Sequence, residues 1–275
     1  MGGPQGRAGN AVRPKKSLRV KVITMGDAAV GKSCLIKRFC ERRFVEKYVS
    51  TIGIDYGVTI VKAAEREVKV NFFDMSGHYL FTSVRAEFYK DVQGVMLVYD
   101  VSCVASFESL GEWIDEITGA IGEEEMKNVV VLVCANKVDK RAAHDRVVTE
   151  SMGRFWAEGR GFKYFETSAS TGEGVEAMFN TLFSDVVTSM ESGVTERAAK
   201  PTYSQKEMDA VRRVEMSRND YERLGVSQGA SVEDINRSYR KLARVLHPDK
   251  NRAPGSEEAF KAVCSAKNAL LGNSG

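Results

Sequence analysis

The sequence has no apolar run long enough to cross a bilayer, which takes about 20 consecutive residues. The longest run, Val129 to Ala135, is far shorter. A signal peptide is missing as well. Met1 to Lys16 is rich in Gly, Ala and basic residues, which suits a disordered tail. Gly2 follows Met1, but Gly6 stands where a myristoylation signal wants Ser or Thr. Gly272-Asn273-Ser274-Gly275 offers no cysteine to a prenyl group. These features predict a soluble protein with no stable membrane anchor. Paired cysteines are also absent: Cys34, Cys40, Cys103, Cys134 and Cys264 are odd in number and lack the close spacing of zinc sites. They read as reduced thiols of a cytoplasmic or nuclear protein, and Arg13-Pro14-Lys15-Lys16 is compatible with nuclear entry. The net charge of +3 is too small to suggest a nucleic-acid partner. Internal repeats and low-complexity blocks are absent.

What is present is the composition of a globular chain, 43% hydrophobic and 28% charged over 275 residues. From Leu18 to about Met190, short β-branched runs alternate with amphipathic segments. The runs predict strands at Arg19–Met25, Gly57–Lys62, Glu67–Phe73, Gly94–Tyr99, Val129–Cys134 and Lys163–Phe165. Phe107, Leu110, Ile114 and Ile117 recur at helical spacing, as do Val175, Met178, Phe179, Leu182 and Val186. Only Ala63–Arg66 separates the second and third strands, which therefore form a hairpin. The remaining connections are helical and predict parallel pairing. The fold class is α/β, a doubly wound sheet with one antiparallel edge strand. Glu191 to Ser217 breaks the rhythm with Gly193, Pro201 and many charges, and reads as a linker holding a short helix around Lys206–Val214. From Asn219 to Leu271 the pattern is helical and strand-free. The expected division is a tail (1–17), an α/β domain (18–190), a linker (191–218) and a small all-α domain (219–275).

Gly26-Asp27-Ala28-Ala29-Val30-Gly31-Lys32-Ser33 has the full spacing of a phosphate-binding loop (P-loop), followed by Cys34 and a helix carrying Leu35, Ile36 and Phe39. Such a loop aims backbone N–H groups and a helix N-terminus at a polyphosphate. Gly31 permits close approach, Lys32 reaches the terminal phosphates, and the Ser33 hydroxyl can ligate Mg²⁺. Asp74-Met75-Ser76-Gly77 closes the third strand, where a carboxylate can hold Mg²⁺ and the Gly77 amide can meet a γ-phosphate. Asn136-Lys137-Val138-Asp139 follows a buried strand. A carboxylate there can accept both N1–H and N2–H of guanine, a donor pair that adenine lacks. Glu166-Thr167-Ser168-Ala169 follows the last strand.

These segments, in this order, make Leu18 to about Met190 resemble a small GTPase of the Ras superfamily, nearest the Rab branch. Ile52-Gly53-Ile54-Asp55-Tyr56, Phe88-Tyr89-Lys90 and Gly94 to Asp100 carry the Rab-like character. The resemblance implies GTP/GDP and Mg²⁺ as ligands, with the metal held by Ser33, Thr51 and Asp74. It implies that Phe44 packs against guanine, that the Lys137 stem covers the base, and that Ser168 and Ala169 complete the base site, the Ala169 amide meeting O6. Switches around Tyr48–Ile54 and Gly77–Glu87 would order with GTP and relax with GDP. A GTP-dependent effector, an exchange factor and an activating protein are the implied partners. Thr51, Gly77 and His78 are the candidate catalytic residues. His78 departs from the family, which has glutamine there to orient the attacking water. Tyr79 replaces the usual glutamate, and Ala28 adds a methyl where the fastest enzymes have glycine. Slow intrinsic hydrolysis is expected. The competing reading makes His78 an exposed switch side chain, with turnover supplied by a partner. Rab proteins end in prenylated cysteines, so the missing cysteine argues against membrane trafficking.

In the helical block, Ser231 with Asp234 starts a helix whose Ile235, Tyr239, Leu242 and Leu246 share one face. Arg237, Arg240, Lys241 and Arg244 share another. His247-Pro248-Asp249 stops it, and a second helix starts near Ser256 with Glu257 and Glu258 in its first turn. Together with Tyr221-Glu222-Arg223-Leu224-Gly225 and Ala259-Phe260-Lys261, this segment resembles a J domain. The resemblance implies that Arg240, Lys241, Arg244, His247, Pro248 and Asp249 dock a DnaK-type chaperone and stimulate its ATPase. Val245 and Leu246 depart from the lysine and tyrosine common there. The functional expectation is a Rab-like GTP/GDP switch with slow hydrolysis that carries a chaperone-recruiting J domain. The alternatives are a GTP-loaded signalling scaffold with negligible turnover and a co-chaperone that uses the GTPase block for targeting.

Overall fold

A computed structural model describes residues 18–143, 147–198, 203–247 and 250–272. The apolar runs form β1 (Leu18–Met25), β2 (Ile54–Ala63), β3 (Arg66–Met75), β4 (Gly94–Asp100), β5 (Val130–Asn136) and β6 (Lys163–Glu166). They make one six-stranded sheet in the order β2-β3-β1-β4-β5-β6. Only β2 and β3 pair antiparallel, with β2 at the edge. Their turn residues Ala64 and Glu65 both have positive φ, 46° and 57°, the sense that suits a tight hairpin between twisted strands.

The crossover segments are α1 (Lys32–Glu41), α2 (Thr82–Ala86), α3 (Val104–Glu108), α4 (Leu110–Ile121), α5 (Glu123–Met126), α6 (Glu150–Glu158) and α7 (Val175–Ser192). They cover both sheet faces, so β4 and β5 are buried throughout. This explains why those strands read as continuous apolar runs rather than alternating ones. Successive β4 residues serve opposite layers. Val95, Leu97 and Tyr99 pack with Trp113, Ile117 and Met152, whereas Met96 and Val98 pack with Leu35, Phe179 and Leu182. Burying each large apolar side chain stabilises the fold by about 1.5–3 kcal/mol. Strand order reverses direction at β1, and the crevice outside the carboxyl ends of the strands there is where doubly wound sheets bind ligands.

The helical block comprises α8 (Gln205–Glu215), α9 (Asp220–Leu224), α10 (Val232–Leu246) and α11 (Ser256–Gly272). The short helix expected between the blocks is α8. It opens with a capping box in which Ser204 Oγ accepts from Glu207 N at 3.3 Å and Glu207 Oε2 accepts from Ser204 N at 2.6 Å. Its buried Met208, Val211 and Val214 join Leu224, Ile235, Leu242, Leu246 and Val263 in one apolar cluster, so α8 packs as part of the helical core. At its C-terminal end the Glu215 carboxylate reaches the first turn of α6. It accepts from Thr149 Oγ1 at 2.8 Å and from Ser151 Oγ at 2.9 Å. Burial pushes this carboxyl above its ordinary range, opposed by the two hydroxyls. Among the described residues no helix is long and apolar enough to cross a membrane.

Glu215→Ala deprives both hydroxyls of a charged partner, a loss of about 1–3 kcal/mol. Amide exchange is expected to quicken in α8 and around residues 147–152 while the sheet stays protected. Exchange at the wild-type rate in both segments would show that this contact does not join the two blocks.

Candidate functional site

β1 delivers the chain into the loop Gly26–Ser33, whose backbone passes through positive φ at Gly26 (130°), Ala29 (64°) and Gly31 (103°). A Cβ on Gly26 would lie 2.1 Å from the Val98 carbonyl oxygen, and one on Gly31 would lie 2.3 Å from Asn136 Nδ2. Glycine is therefore demanded at both positions by conformation and by space. Lys32 opens α1 and folds back over the loop, its Nζ donating to Gly26 O at 2.7 Å and Asp27 O at 2.8 Å. No side chain caps the N-terminus of α1, which leaves its first N–H groups available to an anion.

The loop forms one wall of a cavity of about 300 Å³. Of the residues expected at the site, Ala28, Ala29, Gly31, Lys32, Ser33, Cys34, Phe44, Thr51, Gly77, Asn136, Lys137, Asp139 and Ala169 line it. Tyr48 of the first expected switch and Ser170, next to Ala169, line it too, as do Lys37 and Lys140, which were not anticipated. Gly26, Asp27, Val30, Asp74, Ser168 and His78 are not among the lining residues. Val30 is buried, and its carbonyl accepts from Asn136 Nδ2 at 2.8 Å. The Asp27 carboxylate turns to α4 and accepts from Trp113 Nε1 and Ser109 Oγ, each at 2.8 Å. Ser168 Oγ stands behind Asp139 and donates to its Oδ1 at 2.5 Å.

Asp74 lies behind the wall, one partner of a cluster of oxygen atoms. β1 and β3 run in a register that sets Thr24 beside Asp74, and Thr24 Oγ1 donates to Asp74 Oδ1 at 2.8 Å. The Ser33 hydroxyl works to lower the Asp74 carboxyl, and Ser33 Oγ lies 3.2 Å from Thr51 Oγ1. Two hydroxyls and a carboxylate form a hard, all-oxygen donor set of the kind Mg²⁺ takes. Burial pushes the Asp74 carboxyl up, against the Ser33 hydroxyl, the hydrogen bond from Thr24 and the charge of Lys32. Burial likewise pushes the Lys32 ammonium down to about 8, against the pull of Asp74 and Asp27. A polyphosphate beside Lys32 would restore its full charge.

Asn136 is 1% exposed and links the phosphate wall to the base wall. Besides its bond to Val30, its Oδ1 accepts from Ala169 N at 3.2 Å and from Thr167 Oγ1 at 3.3 Å. Lys137, at φ 65°, extends its Nζ to Asp100 Oδ2 at 2.6 Å. Burial works to raise the Asp100 carboxyl, but the bonds from Lys137 and Ser102 prevail and hold it below its ordinary range. Arg38 of α1 secures the far side, its Nε donating to Ala169 O at 2.7 Å and its Nη2 to Ser170 O. Thr24, Arg38 and the role of Asp100 as partner of Lys137 were not expected from the sequence, because none belongs to a phosphate or base motif. Only the Thr24–Asp74 pairing had a signal, since a β1–β3 alignment would have placed them side by side.

The His78 ring is exposed. Its Nδ1 accepts from Leu80 N at 3.3 Å, capping the short 3-10 turn Tyr79–Phe81, and its ring stacks on Tyr79 with centroids 4.8 Å apart. In the helical block, Arg237, Arg240, Lys241 and Arg244 are exposed along α10 as expected. His247 meets Phe260 of α11 edge-on, with centroids 5.6 Å apart. Buried Asn251 shapes the following loop, donating to Val245 O at 3.0 Å and accepting from Ala253 N at 2.8 Å. Pro248 and Asp249 lie outside the described residues.

Comparison with known proteins accords with this arrangement. Residues 21–188 match the Ras family, and residues 219–274 match the DnaJ domain. DnaJ homolog subfamily C member 27 of Rattus norvegicus is 55% identical over 263 residues, covering 94% of this chain and 96% of the rat protein. The proteins of that name from Danio rerio and Homo sapiens are each 53% identical, over 266 and 267 residues. Each alignment covers 94% of this chain, with 95% of the fish protein and 96% of the human one. The chain belongs to the Ras family of small GTPases, guanine-nucleotide-binding proteins, and carries a J domain behind its GTPase domain.

Proposed function

We propose that this chain is a Mg²⁺-dependent GTP/GDP switch with slow intrinsic hydrolysis, and that its J domain brings a DnaK-type chaperone to whatever the GTP-bound form engages. The observation that carries the proposal is the convergence of the phosphate loop, the Ser33 and Thr51 hydroxyls and the Asn136–Asp139 and Ala169 segments on one cavity, with the Asp74 carboxylate just behind its wall. Ser33, Thr51 and Asp74 would hold Mg²⁺, which neutralises phosphate charge when bound. Lys32 and the loop backbone hold the phosphates, Asp139 reads guanine, and Phe44 with the Lys137 stem encloses the base. Thr51 and the Gly77 amide sense the γ-phosphate. The units that carry this function are 18–190 and 219–275, with α8 working as part of the helical unit.

Exposed apolar side chains support a partner surface on the switches. Tyr48, Val49, Ile52, Tyr79 and Leu80 lie on the switch segments, and Tyr56, Val58 and Ile60 continue along edge strand β2. Slow hydrolysis is supported by His78, whose imidazole is engaged with Leu80 and Tyr79 rather than lining the cavity. The same observation favours the GTP-loaded scaffold as a second reading. Chaperone recruitment is supported by the exposed cationic face of α10, next to His247.

Asp139→Asn is expected to lower the preference for GTP over ATP by on the order of 100-fold or more in calorimetric titrations. A preference retained in that variant would remove Asp139 from base recognition. His78→Gln is expected to raise single-turnover GTP hydrolysis by about tenfold, because a side-chain amide can orient the attacking water. A wild type already as fast as the glutamine variant would contradict the slow-turnover reading. For the J domain, the full chain should stimulate ATP hydrolysis by a DnaK-type chaperone and the His247→Gln chain should not. Equal stimulation by both would count against chaperone recruitment through this loop.

A further inference from the structure

Arg85 belongs to no nucleotide motif, yet its side chain is only 2% exposed, which is costly for a cation without full pairing. Its pairing is complete. Nε donates to Glu116 Oε1 at 2.9 Å and Nη2 to Glu116 Oε2 at 2.7 Å, the bidentate geometry that guanidinium favours. The Tyr89 hydroxyl donates to the same carboxylate. The guanidinium also lies 4.5 Å from the Trp113 ring centroid.

Its remaining bonds are directed at the switch, one of them from Nη2 to Thr82 Oγ1 at 2.9 Å. Nη1 donates to Ser76 O at 3.0 Å and to His78 O at 2.8 Å, the carbonyls on either side of Gly77. The Ser76 carbonyl and the Gly77 N–H belong to one planar trans peptide and point in opposite directions. Drawing that carbonyl toward Arg85 therefore turns the Gly77 N–H away from α4. Gly77 itself lies against the phosphate loop so closely that a Cβ would stand 2.2 Å from the Asp27 carbonyl carbon. The loop is tied to the same node from its other side, through the Trp113 Nε1 bond to Asp27 Oδ1 at 2.8 Å.

We propose that Arg85 is a positioning residue for γ-phosphate recognition, fixing the Ser76–Gly77 peptide so that the Gly77 N–H faces the phosphate site. The Glu116 carboxylate and the Trp113 ring hold Arg85 in place, and Trp113 and Asp27 register that peptide on the phosphate loop. GDP makes no demand on this peptide, so Arg85 acts on the distinction between the two nucleotides. The inference rests on the GTP-switch reading above.

The test compares GDP with a non-hydrolysable GTP analogue, both fluorescently labelled, in the full-length chain with Mg²⁺. Arg85→Lys keeps the charge but cannot serve Glu116 and both carbonyls at once. Its affinity for the GTP analogue should fall by about tenfold, with GDP affinity within about twofold of wild type, the scale of one charge-assisted hydrogen bond. Glu116→Gln should change the ratio in the same direction but less, and decides the matter if the Arg85 variant is misfolded. The ³¹P spectrum of the bound analogue should gain a second γ-phosphate resonance in either variant, from the misoriented peptide. Equal weakening of both nucleotides, or an unchanged ratio, would overturn the proposal by making Arg85 a structural residue only. A wild type that binds guanine nucleotides no better than adenine nucleotides would overturn the underlying reading instead.

Discussion

The side-chain amide of Asn136 holds the two halves of the nucleotide cavity in register. Its nitrogen donates to the carbonyl of Val30 in the phosphate loop, and its oxygen accepts from the amide of Ala169 in the base loop. Both bonds are made in a buried setting, where an unpaired polar group would cost about 1–3 kcal/mol. Neither wall can shift without breaking one of them. Gly31 makes the arrangement possible, because any side chain there would collide with the same amide. Strand order supplies the rest: β5 delivers Asn136 and β1 delivers the phosphate loop to the same carboxyl end of the parallel strands. The site is thus a property of the sheet's parallel topology as much as of its motifs.

Around that frame the side of the cavity lined by Thr51 and Gly77 is built differently. Thr51 and Gly77 lie on segments flanked by exposed apolar side chains, from Tyr48 to Ile52 and from Tyr79 to Val84. Few buried contacts hold such segments, so their order can depend on a ligand. Arg85 marks the boundary of the exposed part. It follows Tyr79 and Leu80 closely in the chain, yet it is buried and joined to α4 through Glu116 and Trp113. His78 sits between these regimes, its ring occupied with the turn that follows it.

The helical block shows how a small domain obtains a sufficient core. Residues 219–274 carry the J-domain match, and a domain of that size is marginal on burial alone. Helix α8 precedes the matched segment and adds Met208, Val211 and Val214 to the cluster. Its last residue, Glu215, then meets the hydroxyls of Thr149 and Ser151 at the start of α6. One helix therefore completes the second core and links it to the first block.

Much of this was legible in the amino-acid order. The strands, the hairpin at Ala64–Glu65, the phosphate loop, the base motif and the cap at Ser231 each depend on residues close together in the chain. Local spacing, periodicity and backbone preference are enough to specify them. The direction of Asp27 toward Trp113, the Thr24–Asp74 pair, the Arg38 bond to Ala169 and the Arg85 grip on Ser76 and His78 were not legible. The joining of α8 to the helical core was not legible either. Each of these joins elements that meet only after folding, through bonds sensitive to shifts of a few tenths of an ångström. Local pattern therefore determined which elements and motifs exist, while tertiary packing decided which side chains line the cavity and which ones hold those in place.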